Sequence, residues 1–259
     1  MTDEVSARVV RKMADVPREA WDALAGERPS PFLRWDWLAL LEETGCAVES
    51  SGWLPHHVLL HRGKRLVGGC PLYLKLHSMG EFVFDHDWAL YAERLGLNYY
   101  PKLLVGVPFT PVTGPRFLTA PDEPRAALVE AIGRVIADIA TQNNISSAHV
   151  TFCRDDEAAA LEGAGYLRRI DVQYHWQNRG YADFEGFLGE VRGGRRNKIR
   201  RERKEIERQG IAIRPLEGDD LTDAALDTLY DLYAGHVDGM YWGRRYLTRA
   251  LFRELGRRM

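Results

Sequence analysis

The sequence predicts an α/β fold in which a mixed sheet is flanked by helices. Three observations predict this fold: two apolar runs separated by a tight turn at 57–75, a long amphipathic stretch at 125–142, and alternating strand-like and helix-like segments after it. The chain has 259 residues, of which 45% are hydrophobic and 28% charged. These values are ordinary for a globular chain with a core, and the length allows one large domain or two small ones.

Two helices are predicted near the start of the chain. Residues 15–27 favour a short helix with Asp15 as its N-cap and Gly26 just past its end. Residues 32–44 place apolar side chains three and four positions apart, which predicts an amphipathic helix closed by Gly45.

Residues 57–75 predict two strands joined by a tight turn at 62–64. Gly68 and Gly69 lie within the second strand. Paired glycines inside a strand indicate a bulge or a close approach of another group to the backbone.

Four elements are predicted after residue 124: a helix at 125–142, a strand at 147–152, a short helix at 155–163 and a strand at 166–176. This order resembles the final part of a GNAT-type acyltransferase module. The motif ALEGAGY is similar to the turn that carries the sequence LGF in that fold.

From about residue 178 the pattern begins again. The predicted elements are a helix starting near Tyr181 with Asp183 as cap, a charged helix at about 194–209, a strand at 211–216, and helices at 219–235 and about 244–258. We therefore expect two GNAT-like (acyl-CoA N-acyltransferase-like) modules in tandem, residues 1–178 and 179–259. The second module is expected to be incomplete, since no strands follow its last helix.

Composition narrows the classes of protein. With 35 basic and 37 acidic residues the net charge is −2, so bulk charge does not predict a polyanion-binding protein. The three cysteines, Cys46, Cys70 and Cys153, are far apart, which favours reduced and mostly buried thiols over disulfides or a zinc site. The polar start and the lack of an 18-residue apolar stretch predict a cytoplasmic protein without a membrane span.

A proline-rich segment at 99–116 (YYPKLLVGVPFTPVTGPR) holds four prolines and two glycines among apolar residues. Proline fixes φ and lacks an N–H group, so a regular central strand throughout is not expected. We predict an extended, rigid loop with one cis proline. Such a loop could hold substrate groups, or it could be a structural crossover on the sheet.

Residues 77–88 (HSMGEFVFDHDW) combine two histidines with three carboxylates. Such a set could perform acid–base chemistry, or it could be a solvated loop with one or two functional members. A metal site is not favoured, because Asp85, His86 and Asp87 are consecutive and would point in different directions on a strand.

The segment 192–208 carries nine basic and three acidic residues, a local net charge of +6, and its first half, 192–201, has no acid. Two interpretations stay open. The helix could be solvent-exposed, with ion pairs along its surface and no ligand. Alternatively, it could bind a phosphate-rich ligand such as tRNA or a lipid pyrophosphate headgroup.

Several long motifs occur in a characteristic order: PHHVLL, PLYLKLHSMGEFVFDHDWA, YYPKLLVGVPFTPVTGPR and a W-x-N-x-G-Y-x-D-F motif followed by RRNKIRRER. From about Ser30 to Met259 the chain resembles a bacterial family of peptidoglycan biosynthesis/recognition proteins, grouped with GNAT-type and Fem-type acyltransferases. Fem-type ligases move an aminoacyl group from charged tRNA to an amine of a peptidoglycan precursor. The basic helix at 192–209 would match their helical arm.

The resemblance implies an N-acyltransferase or aminoacyltransferase acting on a peptidoglycan precursor or a related amine. The donor would be an acyl-CoA or an aminoacyl-tRNA, although TAPDEP before the helix at 125–142 lacks the Gly-rich loop that binds the pyrophosphate of CoA. Two alternatives are a non-catalytic module that recognises a cell-wall precursor or peptide, and a nucleic-acid-binding protein. The resulting candidates are Lys75, Asp85, Lys102, Thr110, Thr113 and Arg116 for catalysis, His56, Tyr73, Trp88, Tyr99, Tyr100 and Phe109 for substrate binding, and Arg195, Arg196, Lys198, Arg200 and Arg201 for phosphate binding.

Overall fold

The computed structural model describes residues 4–26 and 30–259, and the chain divides into two compact units. Unit 1 contains the residues up to Arg168 together with Thr222–Met259, and unit 2 is Arg169–Leu221. These units differ from the predicted modules, because the last helices belong with the first 168 residues. The boundary at 178 and the incompleteness of the second module stay predictions.

The elements form a mixed α/β structure with two sheets flanked by helices. The strands are β1 Val5–Val10, β2 Trp53–Pro55, β3 His57–Arg62, β4 Arg65–Cys70, β5 Leu72–Lys75, β6 Lys102–Val105, β7 Leu118–Thr119 and β8 Ala148–Val150. The helices are α1 Arg18–Leu24, α2 Trp35–Glu43, α3 His86–Arg94, α4 Arg125–Gln142, α5 Asp155–Gly163, α6 Phe184–Glu190, α7 Gly193–Arg208, α8 Asp223–Asp238 and α9 Arg249–Arg258.

The first sheet has the order β1-β3-β4-β7 and is antiparallel throughout. The predicted irregularity in β4 is confirmed, because the register with β3 shifts between Leu60 and His61 and leaves Val67 as the extra residue. The close approach at Gly69 is confirmed as well. A Cβ there would lie 3.0 Å from both the Trp21 ring and the carbonyl oxygen of Val58.

The second sheet has the order β2-β5-β6-β8, with β6 and β8 parallel and the other pairs antiparallel. Strand β6 corrects the prediction of a loop throughout 99–116. Lys102–Val105 lies between Pro101 and Pro108, so none of its four residues lacks an N–H, and it pairs on both sides. The predicted cis proline is confirmed at the Tyr100–Pro101 bond.

The two faces of the second sheet pack against different parts of unit 1. Leu72, Leu103 and Val105 point into the main core, where α4 contributes Ile132 and Ile136. Because side chains alternate along a strand, the residues between them point the other way. That other face carries Trp53, Tyr73 and Leu104, which form a second cluster with Leu40 and Leu41 of α2 and Leu251 of α9.

Helix predictions were accurate where the amphipathic pattern was long. Helices α4 and α5 have the predicted bounds, and Asp183 caps α6 by accepting a hydrogen bond from the Gly186 N–H at 2.8 Å. The predicted Asp15 cap is wrong: Asp15 ends a 3-10 turn and Pro17 precedes α1. The predicted end of that first helix at Glu27 lies outside the described residues.

The two late strand predictions are wrong. Residues 166–176 and 211–216 are irregular and mostly exposed, and no strand occurs among residues 169–221. Their alternating apolar pattern is that of a strand, as in Ile170, Val172 and Tyr174. A strand, however, exists only where another strand satisfies its backbone N–H and C=O groups.

Glu157 of α5 fixes the chain around β7. Its buried carboxylate accepts hydrogen bonds from the backbone N–H groups of Arg116, Phe117 and Arg154 at 2.9–3.1 Å, and from the Arg125 guanidinium at 2.7 Å. One side chain thus connects α5, α4 and the segment that enters β7. Removing its charge would leave several buried donors without an acceptor.

We expect Glu157→Gln to lower the free energy of unfolding by about 3 kcal/mol, because an amide cannot replace the carboxylate as acceptor for four donors. Urea denaturation followed by circular dichroism measures the change. The matched control is Asp156→Asn in the same helix turn, whose exposed ion pairs should be worth about 0.5 kcal/mol. Equal effects of the two substitutions would contradict this role of Glu157.

Candidate functional site

The candidate site begins with the pairing of β5 and β6. Lys75 lies directly opposite Lys102, and on the other side of β5 it lies opposite Trp53 of β2. All three side chains therefore point away from the main core, to the face that α2 and α9 partly cover. Both lysine side chains are almost fully buried, which requires nearby charge or hydrogen-bond partners.

Lys102 has several partners. Its Nζ lies 2.7 Å from Oδ2 of Asp85, 2.7 Å from Oγ of Ser78 and 2.9 Å from Oε2 of Glu81. The three partners all come from the segment 76–85, which links β5 to α3 and which we call the covering loop. Lys102 is therefore well placed to hold a positive charge in the interior.

Asp85 collects hydrogen bonds on one oxygen. Its Oδ2 accepts from Ser78, from the Tyr99 hydroxyl at 2.9 Å and from Lys102, while the Tyr100 hydroxyl lies 2.7 Å from Oγ of Ser78. Burial raises the pKa of the Asp85 carboxyl, but the bonds from Lys102, Ser78 and Tyr99 outweigh burial, so the net pKa is lowered. Burial and the bond to Asp85 raise the pKa of Tyr99, which keeps its hydroxyl as a donor.

Lys75 is much less well coordinated than Lys102. Its Nζ lies 3.4 Å from the Met79 carbonyl oxygen, 3.9 Å from Oε1 of Glu81 and 3.5 Å from the centre of the Trp53 ring. Burial, opposed by Glu81 and assisted by Lys102, lowers the pKa of Lys75 to about 7. Near neutral pH, Lys75 is therefore a mixture of ammonium and free amine.

Glu81 is the counterpart of Lys75. Burial raises the pKa of its carboxyl, against the attraction of Lys102 and Lys75. Within the described residues, Oε1 of Glu81 and Oδ1 of Asp85 accept no hydrogen bond, whereas Oε2 of Glu81 is held by Lys102 at 2.9 Å. Two buried acceptor positions are thus available beside Lys75, and such unused groups need a functional or structural account.

The covering loop and Phe109, whose N–H donates to the Gly80 carbonyl oxygen at 3.2 Å, have left-handed backbone conformations. Gly80 has φ +78°, and Phe82 and Phe109 have φ +56° and +59° although they carry side chains. Phe109 stacks on Tyr246, with ring centres 5.3 Å apart and planes at 18°. Non-glycine residues in this region persist only when their surroundings hold them, and they concentrate at functional sites.

Arg116 binds backbone groups outside this cluster, and its assignment as a catalytic candidate stays a prediction. Its guanidinium donates to the carbonyl oxygens of Val112, Gly114, Pro115 and Thr151 at 2.6–3.2 Å. All these partners are backbone groups of the loop before β7 and of the chain after β8. The side chain is therefore a structural clamp for the proline-rich segment.

The remaining sequence candidates are dispersed. Tyr73 is completely buried against Trp53 and His57, so a substrate cannot reach it in this conformation. His56 bonds the Leu54 carbonyl, and burial lowers its pKa. Three further candidates lie outside the lysine cluster, namely Thr110 (buried, donating to the Pro108 carbonyl), Thr113 (exposed) and Trp88 (exposed, on α3).

Some members of the site were missed by sequence reasoning. Ser78 and Trp53 are central to the lysine cluster, and Tyr246 covers Phe109 from a segment 137 residues later. Strand pairing alone brings Trp53 next to Lys75, and no local motif could indicate it. Among the described residues no group of three or more His, Cys, Asp or Glu side chains could hold a metal ion.

The basic helix α7 belongs to unit 2. Arg196 donates to the carbonyl oxygens of Gly189 and Val191 at 3.0 Å, so it closes the C-terminal end of α6. Arg200 pairs with Glu185, and Lys198 lies 3.7 Å from Glu202. Within the described part of the chain, Arg195 and Arg201 have no carboxylate partner. The phosphate-binding role of the five predicted residues stays a prediction.

Comparison with known families gives one result that covers nearly the whole chain. Residues 12–259 match the model of the FemAB-like family, described as peptidoglycan biosynthesis/recognition. The protein therefore belongs to this Fem-like family, and a role linked to peptidoglycan is supported. Neither the curated proteins nor the solved structures gave a match. Within residues 4–26 and 30–259, no helix is both long and apolar enough to cross a membrane.

The lowered pKa of Lys75 predicts a pH-dependent stability. Between pH about 7 and 10.5 the unfolded chain keeps a proton on this lysine that the folded chain has lost, so the free energy of unfolding rises with pH in that window. Lys75→Met removes the free-energy cost of burying a protonated lysine, and this cost is larger at pH 7 than at pH 9. Urea denaturation at pH 7, 8 and 9 should show the variant most stabilised relative to wild type at pH 7, with a smaller difference at pH 9. The control Lys64→Met, in the exposed β3–β4 turn, should show a constant difference.

A second prediction concerns the closure of the covering loop. Gly80→Ala places a Cβ 2.7 Å from the Phe109 ring in a left-handed conformation, whereas Gly96→Ala at φ +70° meets nothing within 4 Å. Gly96→Ala should cost about 1 kcal/mol of folding free energy from backbone strain alone. Gly80→Ala should cost about 1–3 kcal/mol more because the ring must move. Equal melting temperatures for the two variants would show that the loop is not packed as described.

Proposed function

We propose that this protein is an aminoacyltransferase of Fem type that transfers an aminoacyl group to an amine of a peptidoglycan precursor. The observation that carries the proposal is the pair of buried carboxylate oxygens without a hydrogen-bond donor, Oε1 of Glu81 and Oδ1 of Asp85, next to Lys75, whose pKa burial lowers to about 7. Membership of the FemAB-like family supports the same chemistry.

The acceptor amine would enter as an ammonium group. Oε1 of Glu81 and Oδ1 of Asp85 offer two acceptor positions, and an ammonium group donates up to three hydrogen bonds. To admit it, the covering loop must lift from the sheet. The loop is held by ion pairs and hydrogen bonds to Lys102 and Lys75, which a charged ligand can replace. It is held as well by a hydrogen bond from the Trp53 indole and by the contact of Phe82 with Tyr246.

Lys75 would act as the base. Its neutral amine takes one proton from the bound ammonium, and the freed nitrogen attacks the carbonyl carbon of the donor ester. The C–N bond forms, the C–O bond of the ester breaks, and the leaving oxygen receives a proton from Lys75. The second proton of the attacking nitrogen passes to solvent. Lys102, held by Asp85 and Glu81, would stabilise the negative charge that develops on the carbonyl oxygen.

Charge near α4 favours an aminoacyl-tRNA over acyl-CoA as the donor. The turn before α4, where a CoA pyrophosphate would bind, carries Asp122 and Glu123, paired with Arg65 and Arg62. These ion pairs engage the two arginines, so their guanidinium groups are less available to a pyrophosphate. The basic helix α7 offers phosphate contacts elsewhere.

Non-catalytic recognition of a cell-wall precursor is the second candidate. It is favoured by the full burial of Lys75 and Lys102, because a recognition site would need to open only for binding and need not admit a donor as well. Transfer measurements separate the two candidates.

The test uses the full chain with charged tRNA or acyl-CoA and a panel of amines that includes peptidoglycan precursors. Product should form with tRNA, and its rate should rise through pH about 7 as Lys75 loses its proton. Lys75→Met should lower the rate about 100-fold or more and remove that rise, since a positioned base contributes a factor of this size.

Lys64→Met serves as the control for loss of a lysine, and Glu81→Gln should raise the KM for the amine more than it lowers kcat. Absence of transfer from every donor, together with measurable binding of a precursor, would establish the recognition function instead. Transfer with an unchanged pH profile in Lys75→Met would eliminate Lys75 as the base.

A further inference from the structure

Trp53 of β2 makes two contacts in the candidate site, and the proposed transfer gives it no role. Its indole N–H donates to the Met79 carbonyl oxygen at 3.1 Å, and the centre of its ring lies 3.5 Å from Nζ of Lys75. The same carbonyl oxygen lies 3.4 Å from Nζ of Lys75. One tryptophan thus borders the lysine amine and also fixes a backbone oxygen that the amine contacts.

The position of Trp53 is itself fixed from several sides. Strand pairing places Trp53 directly opposite Lys75. Its ring contacts those of Tyr73 and Phe109, with centres 5.2 and 5.3 Å apart. The residue is 1% exposed. A ring held in this way cannot turn aside to let water or a carboxylate reach the amine from its side.

Lys102 shows what a buried lysine receives where no ring lies directly against its amine. Three oxygen atoms of the covering loop lie 2.7–2.9 Å from its Nζ, and the Tyr99 and Tyr100 ring centres are 5.4 and 5.6 Å away. An aromatic face attracts an ammonium group more weakly than a charge-assisted hydrogen bond does. The ring of Trp53 therefore leaves Lys75 with a weaker partner than those of Lys102.

The charged and titratable groups that face Lys75 come from β6 and the covering loop. Lys102 lies opposite it on β6, and Oε1 of Glu81 is 3.9 Å from its Nζ. His77 is a further neighbour, whose pKa is lowered by burial and then by Lys75. Burial lowers the pKa of Lys75 itself to about 7, and the ring of Trp53 is part of the surface that buries the amine.

We propose that Trp53 is a positioning residue that holds the Lys75 amine between its ring and the Met79 carbonyl and keeps water and carboxylate oxygens away from one side of the amine. The amine is thereby left short of hydrogen-bond partners and fixed beside Oε1 of Glu81. In catalysis this role rests on the proposed function, in which Lys75 is the base. The effect of Trp53 on the proton affinity of Lys75 does not require transfer.

Trp53→Ala tests this role because it leaves a roomy and polar space beside the amine. Nζ of Lys75, the Met79 carbonyl and Oε1 of Glu81 would border that space, and all three can hydrogen-bond to water. Water at this place stabilises the ammonium form of Lys75. Trp53→Phe keeps an aromatic ring but lacks the indole N–H. Leu104→Ala, in the same apolar cluster, is the matched control for the loss of a large buried side chain.

The protonation of Lys75 can be measured directly by NMR, because the chain has only six lysines. With 13C-labelled lysine, the signal that is lost in Lys75→Met identifies this residue. Trp53→Ala should move the midpoint of its titration upward by about one pH unit or more, as expected when water reaches a buried amine. Trp53→Phe should move the midpoint by less than half as much, and Leu104→Ala should leave it unchanged.

Unchanged far-UV circular dichroism shows that each variant is folded. If Trp53→Ala does not fold, Trp53→Leu takes its place in the comparison, because leucine also removes the ring and leaves room for a water molecule.

In the transfer assay, the same change should appear as a loss that depends on pH. Trp53→Ala should lower kcat about 5-fold or more at pH 7, where most of Lys75 would be protonated, and should come within about 2-fold of wild type at pH 9.5. The KM for the amine should change little, since Glu81 and Asp85 remain. A purely structural role of Trp53 would lower kcat equally at both pH values.

An upward shift of the Lys75 midpoint in Trp53→Ala that Trp53→Phe largely prevents would support the role of the ring. An unchanged midpoint in Trp53→Ala would overturn the proposal, as would equal shifts in Trp53→Ala and in either Trp53→Phe or Leu104→Ala. Absence of transfer by the wild-type protein, together with the expected NMR shifts, would count against the proposed function alone.

Discussion

The position of Lys75 opposite Lys102 is the constraint on which the candidate site depends. Strand pairing places two ammonium groups side by side on a buried face, and like charges in that position repel each other. The covering loop places the carboxylates of Glu81 and Asp85 beside the two lysines, and these carboxylates lie closer to Lys102 than to Lys75. Lys102 receives three close oxygen partners and Lys75 only distant ones. The difference in coordination, more than burial alone, separates the properties of the two lysines.

The helices and the chemistry-bearing residues could be predicted from sequence to different degrees. A long amphipathic period with recognisable ends fixed α4 and α5, because the signal is local and repeats over many residues. Strands were harder, since pairing is not local. Lys102–Val105 is only four residues long among prolines, yet it is central, whereas 166–176 has a strand-like pattern but no strand beside it.

For the site, residue type was a useful but incomplete guide. Lys75, Asp85, Lys102, Tyr99 and Tyr100 were all candidates, and the structure brings them together. Arg116 was a candidate for the same reason, but four backbone carbonyls occupy its guanidinium. Sequence cannot distinguish an arginine that binds a substrate from one that binds its own backbone, because that depends on where the loop oxygens point.

The second face of the β2-β5-β6-β8 sheet is completed by α9, more than 200 residues after α2 in the chain. Leu251 packs with Leu40 and Leu41, and Thr248 donates to the Thr44 carbonyl. During synthesis the first sheet and the α4 core can form once α5 has left the ribosome. The part of the second face that Leu251 of α9 covers must wait for about 90 further residues, on the order of 10 s at ordinary translation rates. The nascent protein therefore exposes the apolar side chains of α2 beneath α9 for seconds, which makes them a natural target for chaperones that bind hydrophobic segments.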